Sequence, residues 1–359
     1  MRRQIRVAIA GIGNCASSLV QGVAHYSRHR GSSGLINRKI GPYRPSNISF
    51  VLAFDIDVRK VGLPLNQAIF SKPNLIKHVN PEEVPVGPPV LLAPIFDGVS
   101  PHMTSDERGY MPAPGTPVDV TAALKKSKTD VLACYLPVGA ERAVHHFAEA
   151  CLSAGVAFVN CVPVFIASDP SFARRFADAG VPVIGDDIRS QVGATIVHQR
   201  LLELLVERGF SIESTYQINI GGNSDFLNML SRDRLISKKQ SKTNALMSRV
   251  ETAITDKITN SVHAGPADYV PHLKDTKVAY INVRANGFCD APLLMEMRLS
   301  VEDSPNSAGV AIDAIRYAAL SRAQGMAGAI RSACAYYMKS PPEYMSDIDA
   351  LKELENLFG

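Results

Sequence analysis

Short continuous apolar runs alternate with helix-period segments along the first half of the chain. Arg6 to Ala10 (RVAIA) reads as a strand, followed by the turn GIGNCA and a helix through SSLVQGVAHY. The next apolar run, ISFVLAFD, ends at Asp55, after a Gly/Ser/Asn-rich excursion from Arg28 to Asn47 that reads as a loop. A second loop-rich tract runs from Pro85 to Pro117. Beyond it the alternation is regular: VDVTAALKKSK is helical, DVLACYLP a strand, and ERAVHHFAEACLSAG a helix with Gly155 as its stop. VAFVNCVP is the next strand, PSFARRFADAG the next helix and VPVIGDD another strand. Continuous apolar strands between helices predict a parallel sheet covered on both faces.

The pattern changes after a long helix that ends near Gly209. STYQINI, KVAYINVRA and LLMEMRLSV alternate with period two. In the last of these, Met295, Met297, Leu299 and Val301 face one way, and Glu296, Arg298 and Ser300 the other. That predicts a sheet with one covered face. Helical periodicity returns from Ser307 to Gln324. The expected fold class is therefore α/β, a Rossmann-like doubly wound parallel sheet interrupted by an α+β insertion. The expected division is 1–200 for the first domain, 201–305 for the insertion and 306–359 for the return to the first.

Composition leaves this picture intact. A chain of 359 residues, 46% hydrophobic and 20% charged, is ordinary for a soluble globular protein with more than one domain. A net charge of +4 favours anionic ligands slightly and does not indicate nucleic acid. No stretch approaches a membrane span. Six cysteines without CxxC or metal-like spacing read as reduced, mostly buried thiols, which points to the cytoplasm.

GIGNCA, Gly11 to Ala16, fits G-x-G-x-x-G/A between a strand and a helix. Gly11 makes the tight turn, Gly13 lets backbone approach a pyrophosphate, and Ala16 is small enough for helix to pack on strand. The helix start, with Asn14 and Cys15, offers amides and a positive dipole end to phosphate. Asp55, with Asp57 nearby, ends the second strand, where a carboxylate accepts a ribose 2′-hydroxyl and repels a 2′-phosphate. NAD is therefore expected over NADP, although the interval is longer than the usual ~20 residues.

GGNSDFLN, Gly221 to Asn228, follows a strand. Asn223, Ser224 or Asp225 is open between a ligand contact and a plain helix cap. GDDIRSQVG puts Asp186 and Asp187 at the carboxyl end of a parallel strand, where open α/β sheets bind ligands; a plain cap of the next helix stays open for one of them, and the other then needs a different explanation. Lys277 is in phase with Ala279, Ile281 and Val283, an expensive core position unless it faces a site. In SKKQSKT, Ser237 to Thr243, Lys238 and Lys242 are four apart and share a helix face. The surrounding basic run, 232–249, has no interleaved aromatic residues, which argues against nucleic acid.

These motifs in this order resemble the myo-inositol-1-phosphate synthase family in its actinobacterial-like form. GIGNCASSLVQG, FDIDVRKVG, YLPVG, GDDIRSQVGAT, GGNSDFLNML, SKKQSKT, DTKVAYINV, DSPNSAG and MKSPPE carry the resemblance over nearly the whole chain. It implies a catalytic and tetramerisation role for the insertion, a homotetramer, and an NAD-recycling cyclisation of glucose 6-phosphate to an inositol monophosphate. By the resemblance, Lys238, Lys242, Lys277 and Lys339 are the active-site lysines, with Asp187, Asp225 and Asp275 around them. Ser190, Asn219, Asn223 and Asp303 would bind substrate, and Pro137 and Asp187 would join the cofactor set. A divalent or monovalent cation held by Asp225 and Asp303 stays open. Arg189, Cys134, Ala140 and Cys161 depart from the family pattern. A related carbocyclase acting on fructose 6-phosphate, giving a five-membered cyclitol phosphate, is the alternative.

Overall fold

The computed structural model describes residues 4–231, except 30 and 32, and 262–358. Strands β1 (Ile5–Ala10), β2 (Ile48–Asp55), β3 (Val90–Leu92), β4 (Val131–Cys134), β5 (Ala157–Asn160), β6 (Pro182–Ile184) and β11 (Gly328–Ala329) form one sheet. Their order is β11-β6-β5-β4-β1-β2-β3, and every pairing is parallel. The order 3-2-1-4-5-6 within it is that of a Rossmann domain, with its switch point between β1 and β4. A ligand crevice belongs there.

The helices follow from local sequence. Helix α5 (Glu141–Ala154) buries Ala143, Val144, Phe147, Ala148 and Cys151 at helical spacing and stops at Gly155, which takes a left-handed φ of 65°. Helix α6 (Pro170–Asp178) starts on Pro170 with Asp169 as its cap, whose carboxylate accepts from the amides of Ser171 and Phe172. Helix α1 (Asn14–Arg28) runs from the glycine turn. Two short helices, α2 (Leu65–Ala68) and α3 (Pro101–Thr104), and α4 (Val120–Lys126) precede α5.

A second sheet holds β7 (Ser211–Gly221), β8 (Val262–Tyr269), β9 (Thr276–Asn286) and β10 (Pro292–Glu302) in the order β10-β9-β7-β8. β7 and β8 are parallel, and the other pairs antiparallel. β10 alternates as the sequence predicts, with Met295, Met297, Leu299 and Val301 half-buried and Glu296, Arg298 and Ser300 exposed. Helix α7 (Ala194–Glu207) covers this face, with Leu202 and Leu205 packed among Ile212, Ile281, Val283 and Ala285. The expected boundary at residue 200 falls inside α7.

After short α8 (Ser224–Asn228) and the second sheet, the chain returns to the first through α9 (Asp303–Ala323), followed by α10 (Arg331–Tyr337) and α11 (Asp347–Phe358). α9 is buried nearly all round, against α1 and strands β4, β5 and β6. Its Asp313 and Arg316 are fully buried and paired with each other. Arg316 also donates to the carbonyl of Asn37 at 2.7 Å, and Asn37 donates to Asp313 at 2.6 Å. The Arg28–Asn47 excursion is thus pinned to the core. Three strands were not legible: β3 lies in the tract read as loop, β11 is two residues long, and β8 carries Gly265 and Pro266. Among the described residues β8 pairs only with β7, and proline is tolerated on such an edge.

Candidate active site

At the switch point, β1 ends in Gly11, whose φ of 87° sets the turn. A Cβ there would lie 2.7 Å from the Tyr135 carbonyl oxygen, so backbone packing alone demands glycine. Gly13 is different. A Cβ on it would meet nothing within 4 Å, so its glycine leaves open space in front of the helix. α1 begins there without a side-chain cap or an acidic residue in its first turn. Free first-turn amides beneath an open glycine fit the pyrophosphate of a dinucleotide.

Asp55 sits beside this loop. Its Oδ2 accepts from the Ile12 amide at 2.7 Å, and its Oδ1 from the amides of Ile56 and Asp57. Buried Lys60 donates to the Ile12 carbonyl at 2.7 Å and lies 4.0 Å from Asp55. Carboxylate and ammonium therefore clamp the Ile12 residue from its two ends. Asp57 corrects the expectation that it shares the ribose position. It is 1% exposed, is bonded by the Arg59 guanidinium and accepts from the Met111 amide. Burial opposes its charge, yet these donors hold it below the usual carboxylate range.

A cavity opens between the two sheets, and it gathers most of the expected residues. Gly13, Asn14, Cys15, Pro137, Asp187, Ser190, Asn219, Asn223, Asp225, Lys277, Asp303 and Lys339 all line it. Lys277 extends from the covered face of β9 and pairs with Asp303 at the start of α9. Lys339 donates to Asp187 at 2.6 Å. The in-phase lysine thus faces the cavity rather than a closed core. α7 presents a second uncapped N-terminus, with Gly193, Ala194 and Thr195 in the wall. Cys15 also lines it, its thiol pushed up to about 12 by burial, then by Asp303 and Asp275.

Other expected residues stand behind the cavity. Gly11 and Ala16 shape the loop. Asp275 is 4% exposed and does not line the wall; it accepts from Asn223 Nδ2 at 3.0 Å and from the amide and hydroxyl of Ser304 at 2.9 and 2.8 Å. Burial raises its acid to about 6. Asp275 therefore braces two wall residues, Asn223 and Ser304, from behind the cavity. Of the readings left open, Asn223 is the helix cap: its Oδ1 accepts at the start of α8, while its Nδ2 donates to Asp275 and the residue lines the cavity.

Neither Asp186 nor Asp187 caps the next helix, whose N-cap is Gly193. Asp186 is fully buried and accepts from Asn160, from the Ile166, Ala167 and Ser168 amides and from the Ser168 hydroxyl, which folds the 165–168 turn. Lys238 and Lys242 lie outside the described residues. Tyr110, Tyr135, Gln217, Ser304 and Ser307 also line the cavity and were not singled out from sequence. Gln217 had a signal, since it is in phase with Asn219 on β7.

Of the departures, Cys134 and Ala140 are fully buried and outside the cavity wall. Cys161 is in the wall, and Arg189 turns its guanidinium to Asp347 at 3.0 Å. Among the described residues no group of three or more His, Cys, Asp or Glu is arranged to hold a metal ion, and no helix is long and apolar enough to cross a membrane.

Residues 193–304 match the family model for myo-inositol-1-phosphate synthase. The chain is 48% identical to inositol-3-phosphate synthase of Mycolicibacterium smegmatis, over 98% of this chain and 97% of that one. The chain belongs to the myo-inositol-1-phosphate synthase family. The inositol-3-phosphate synthase of Corynebacterium glutamicum is 47% identical over 98% of this chain and 97% of that one. Among solved structures, Ari2 aligns over 99% of both chains with 36% identity and a TM-score of 0.76. Inositol-3-phosphate synthase from Caenorhabditis elegans covers 100% of this chain and 86% of that one with a TM-score of 0.78; at 16% identity it shares the fold.

Proposed function

We propose that this family member cyclises glucose 6-phosphate to 1L-myo-inositol 1-phosphate with bound NAD that is regenerated in each turnover. The observation that carries this reading is the convergence, in one cavity, of the open glycine loop at α1 with the Lys277–Asp303 and Lys339–Asp187 pairs. Nearly full-length identity to inositol-3-phosphate synthases supports glucose 6-phosphate over the fructose alternative. The burial of Cys134 and Ala140 outside the wall removes part of the reason for that alternative.

NAD would lie with its pyrophosphate over Gly13 and its ribose toward Asp55, and supplies a hydride acceptor and donor. The chain's own residues then handle charge. Ser190 and the α7 N-terminus suit the substrate phosphate. Lys277 and Lys339 suit oxygens that gain negative charge as a proton leaves carbon next to a ketone and the resulting enolate attacks the C1 aldehyde. Asp303 and Asp187 keep these lysines in place before substrate arrives. Asn219, Asn223 and Asp225 face the sugar hydroxyls. Lys238 and Lys242 belong to the same reading on sequence grounds.

The insertion, taken as 201–305 with α7 as its first packed helix, would also assemble the enzyme. Tyr216, Tyr280 and Leu294 are exposed on the sheet face opposite α7, and further subunits in a homotetramer would cover them. A cytoplasmic site of action goes with six free cysteines, four of them buried. A mass-resolved product assay with catalytic NAD, comparing glucose 6-phosphate and fructose 6-phosphate, tests the reading. A six-membered cyclitol phosphate from glucose 6-phosphate without net NADH is expected; net NADH, or a five-membered product from fructose 6-phosphate alone, overturns it.

A further inference from the structure

His102 stands where the two sheets' domains meet, in the first turn of α3 between β3 and α4. Its Nε2 lies 3.0 Å from the Leu227 carbonyl of α8, and its Nδ1 lies 3.2 Å from the Ser100 hydroxyl. A carbonyl oxygen can only accept, so Nε2 carries the hydrogen and Nδ1 accepts the Ser100 proton. One ring orientation therefore satisfies both nitrogens. Leu227 is near the end of α8, where helix carbonyls run short of partners; its own later amide donor, from Leu230, is at 3.2 Å. The imidazole supplies a second donor there from another part of the chain.

The loop that carries His102 is fixed to the first domain. Met103 is fully buried, and its carbonyl accepts from the Tyr110 amide at 3.1 Å, which closes 103–110 on itself. The Arg59 guanidinium, held by Asp57, donates to the Glu107 and Gly109 carbonyls, each at 2.6 Å. The loop thus sets Tyr110 in the cavity wall and His102 against α8 as one unit. α8 in turn carries Asn223 as its cap, with Asp225 and Phe226 in the same wall. At its other end Asn228 donates to the Val138 carbonyl at 2.9 Å. By sequence α8 follows β7 of the second sheet, yet both of these side-chain bonds join it to the first domain.

We propose that His102 is a positioning residue: its Nε2 hydrogen latches α8 to the 100–111 loop and so sets where Asn223 and Asp225 stand across the cavity from the glycine loop. The loop is tied through Arg59 to Asp57, two residues beyond Asp55, which itself holds the Ile12 amide. The latch therefore refers α8 to the glycine-loop side of the cavity rather than to its own sheet. The Arg108 guanidinium, 5.6 Å over the Tyr269 ring of β8, joins the same loop to the same domain beside it. The bearing on turnover rests on the reading that the cavity takes a sugar phosphate; the latch itself does not.

Hydrogen exchange read by mass spectrometry, without substrate, tests the latch. In His102→Leu the α8 amides should exchange about fivefold faster, the loss of one hydrogen bond, while those of α5 stay as in wild type. Unchanged exchange in α8, or equal acceleration in α5, overturns the proposal. In kinetics with glucose 6-phosphate, His102→Leu should raise KM about fivefold, with kcat changed less than about threefold. Two conservative variants separate position from polarity. His102→Gln puts an amide nitrogen near the Nε2 position and should recover most of the loss in both measurements. His102→Asn puts its nitrogen near Nδ1, toward Ser100, and should behave like leucine; it replaces the leucine variant if that one does not fold. Unchanged KM without the latch, or glutamine and asparagine behaving alike, overturns the positioning role. Should glucose 6-phosphate not be turned over at all, the proposed function fails while exchange in α8 still decides the latch.

Discussion

Lys339 meets Asp187 twice. Its amide donates to the Asp187 carbonyl at 2.7 Å, and its ammonium to the Asp187 carboxylate at 2.6 Å. The residues are 152 positions apart, yet the backbone bond fixes the lysine stem and leaves only the side chain to respond to ligand. Asp187 itself has a φ of 61°, so the turn at the end of β6 is shaped to present it.

Lys339→Ala should therefore separate chemistry from fold. Loss of one preorganised cation should lower kcat on the order of 10²–10³-fold. The backbone bond survives, and the melting temperature should fall by only a few degrees, reflecting about 1–3 kcal/mol for a carboxylate that has lost its buried partner. Steady-state kinetics and a thermal melt on the same preparation check both parts; near-normal kcat would remove Lys339 from the site.

Asp55 should set cofactor choice. NAD should bind well and NADP poorly, and Asp55→Asn should narrow the gap by about tenfold or more because the charge that repels a 2′-phosphate is gone. Asparagine retains an acceptor for the Ile12 amide, so the loop should stay in place. Calorimetric titration with both dinucleotides measures this. Asp57→Asn should instead loosen the Arg59 turn and lower stability without changing the ratio.

Asp275 gives a signed pH dependence. Its folded-state pKa, near 6, is above the ordinary 3.8. The group therefore contributes stability that is fully present below pH 3.8 and is lost as pH rises through about 6, a swing of about 3 kcal/mol. Wild type should lose its advantage over Asp275→Ala across that window. Chemical denaturation of both at pH 4.5 and 7.5 reads the difference; a gap that widens with pH would contradict the raised acid.

The face of the second sheet opposite α7 should govern assembly. Tyr280→Asp places a charge beside Tyr216 and Leu294, and light scattering should show a smaller species than the wild-type protein gives if the proposed homotetramer forms. A wild-type protein that is active as a stable monomer would defeat the assembly reading.

What the sequence made legible tracks where side chains, rather than backbone, carry the signal. β1, β2 and β10 have apolar patterns that only one packing satisfies. β8 and β11 owe their place to backbone pairing with a neighbour, and Gly265, Pro266 and Gly328 give no propensity cue. At the site, Lys277 was legible because a charge in an apolar phase requires an explanation. Asp57 and Asp275 were carboxylates in the right stretch, but their burial and their bonds to Arg59 and to distant Ser304, which place them behind the cavity wall, could not be read from it. Tyr135 and Ser307 lie in YLPVG and DSPNSAG, but nothing in those stretches marks these two side chains as facing the cavity.

The placement of α9 has a consequence for how the protein is made. Strands β4, β5 and β6 leave the ribosome well before the helix that covers them, which begins at Asp303, and before β11 at Gly328–Ala329. Until those residues emerge, the nascent first sheet has an open apolar flank and lacks its outermost strand. The cavity takes its glycine loop from the start of the chain and Asp303, Ser304, Ser307 and Lys339 from its last part, so it can be completed only near the end of translation. Chaperone demand should peak in the interval when the inserted sheet is being made.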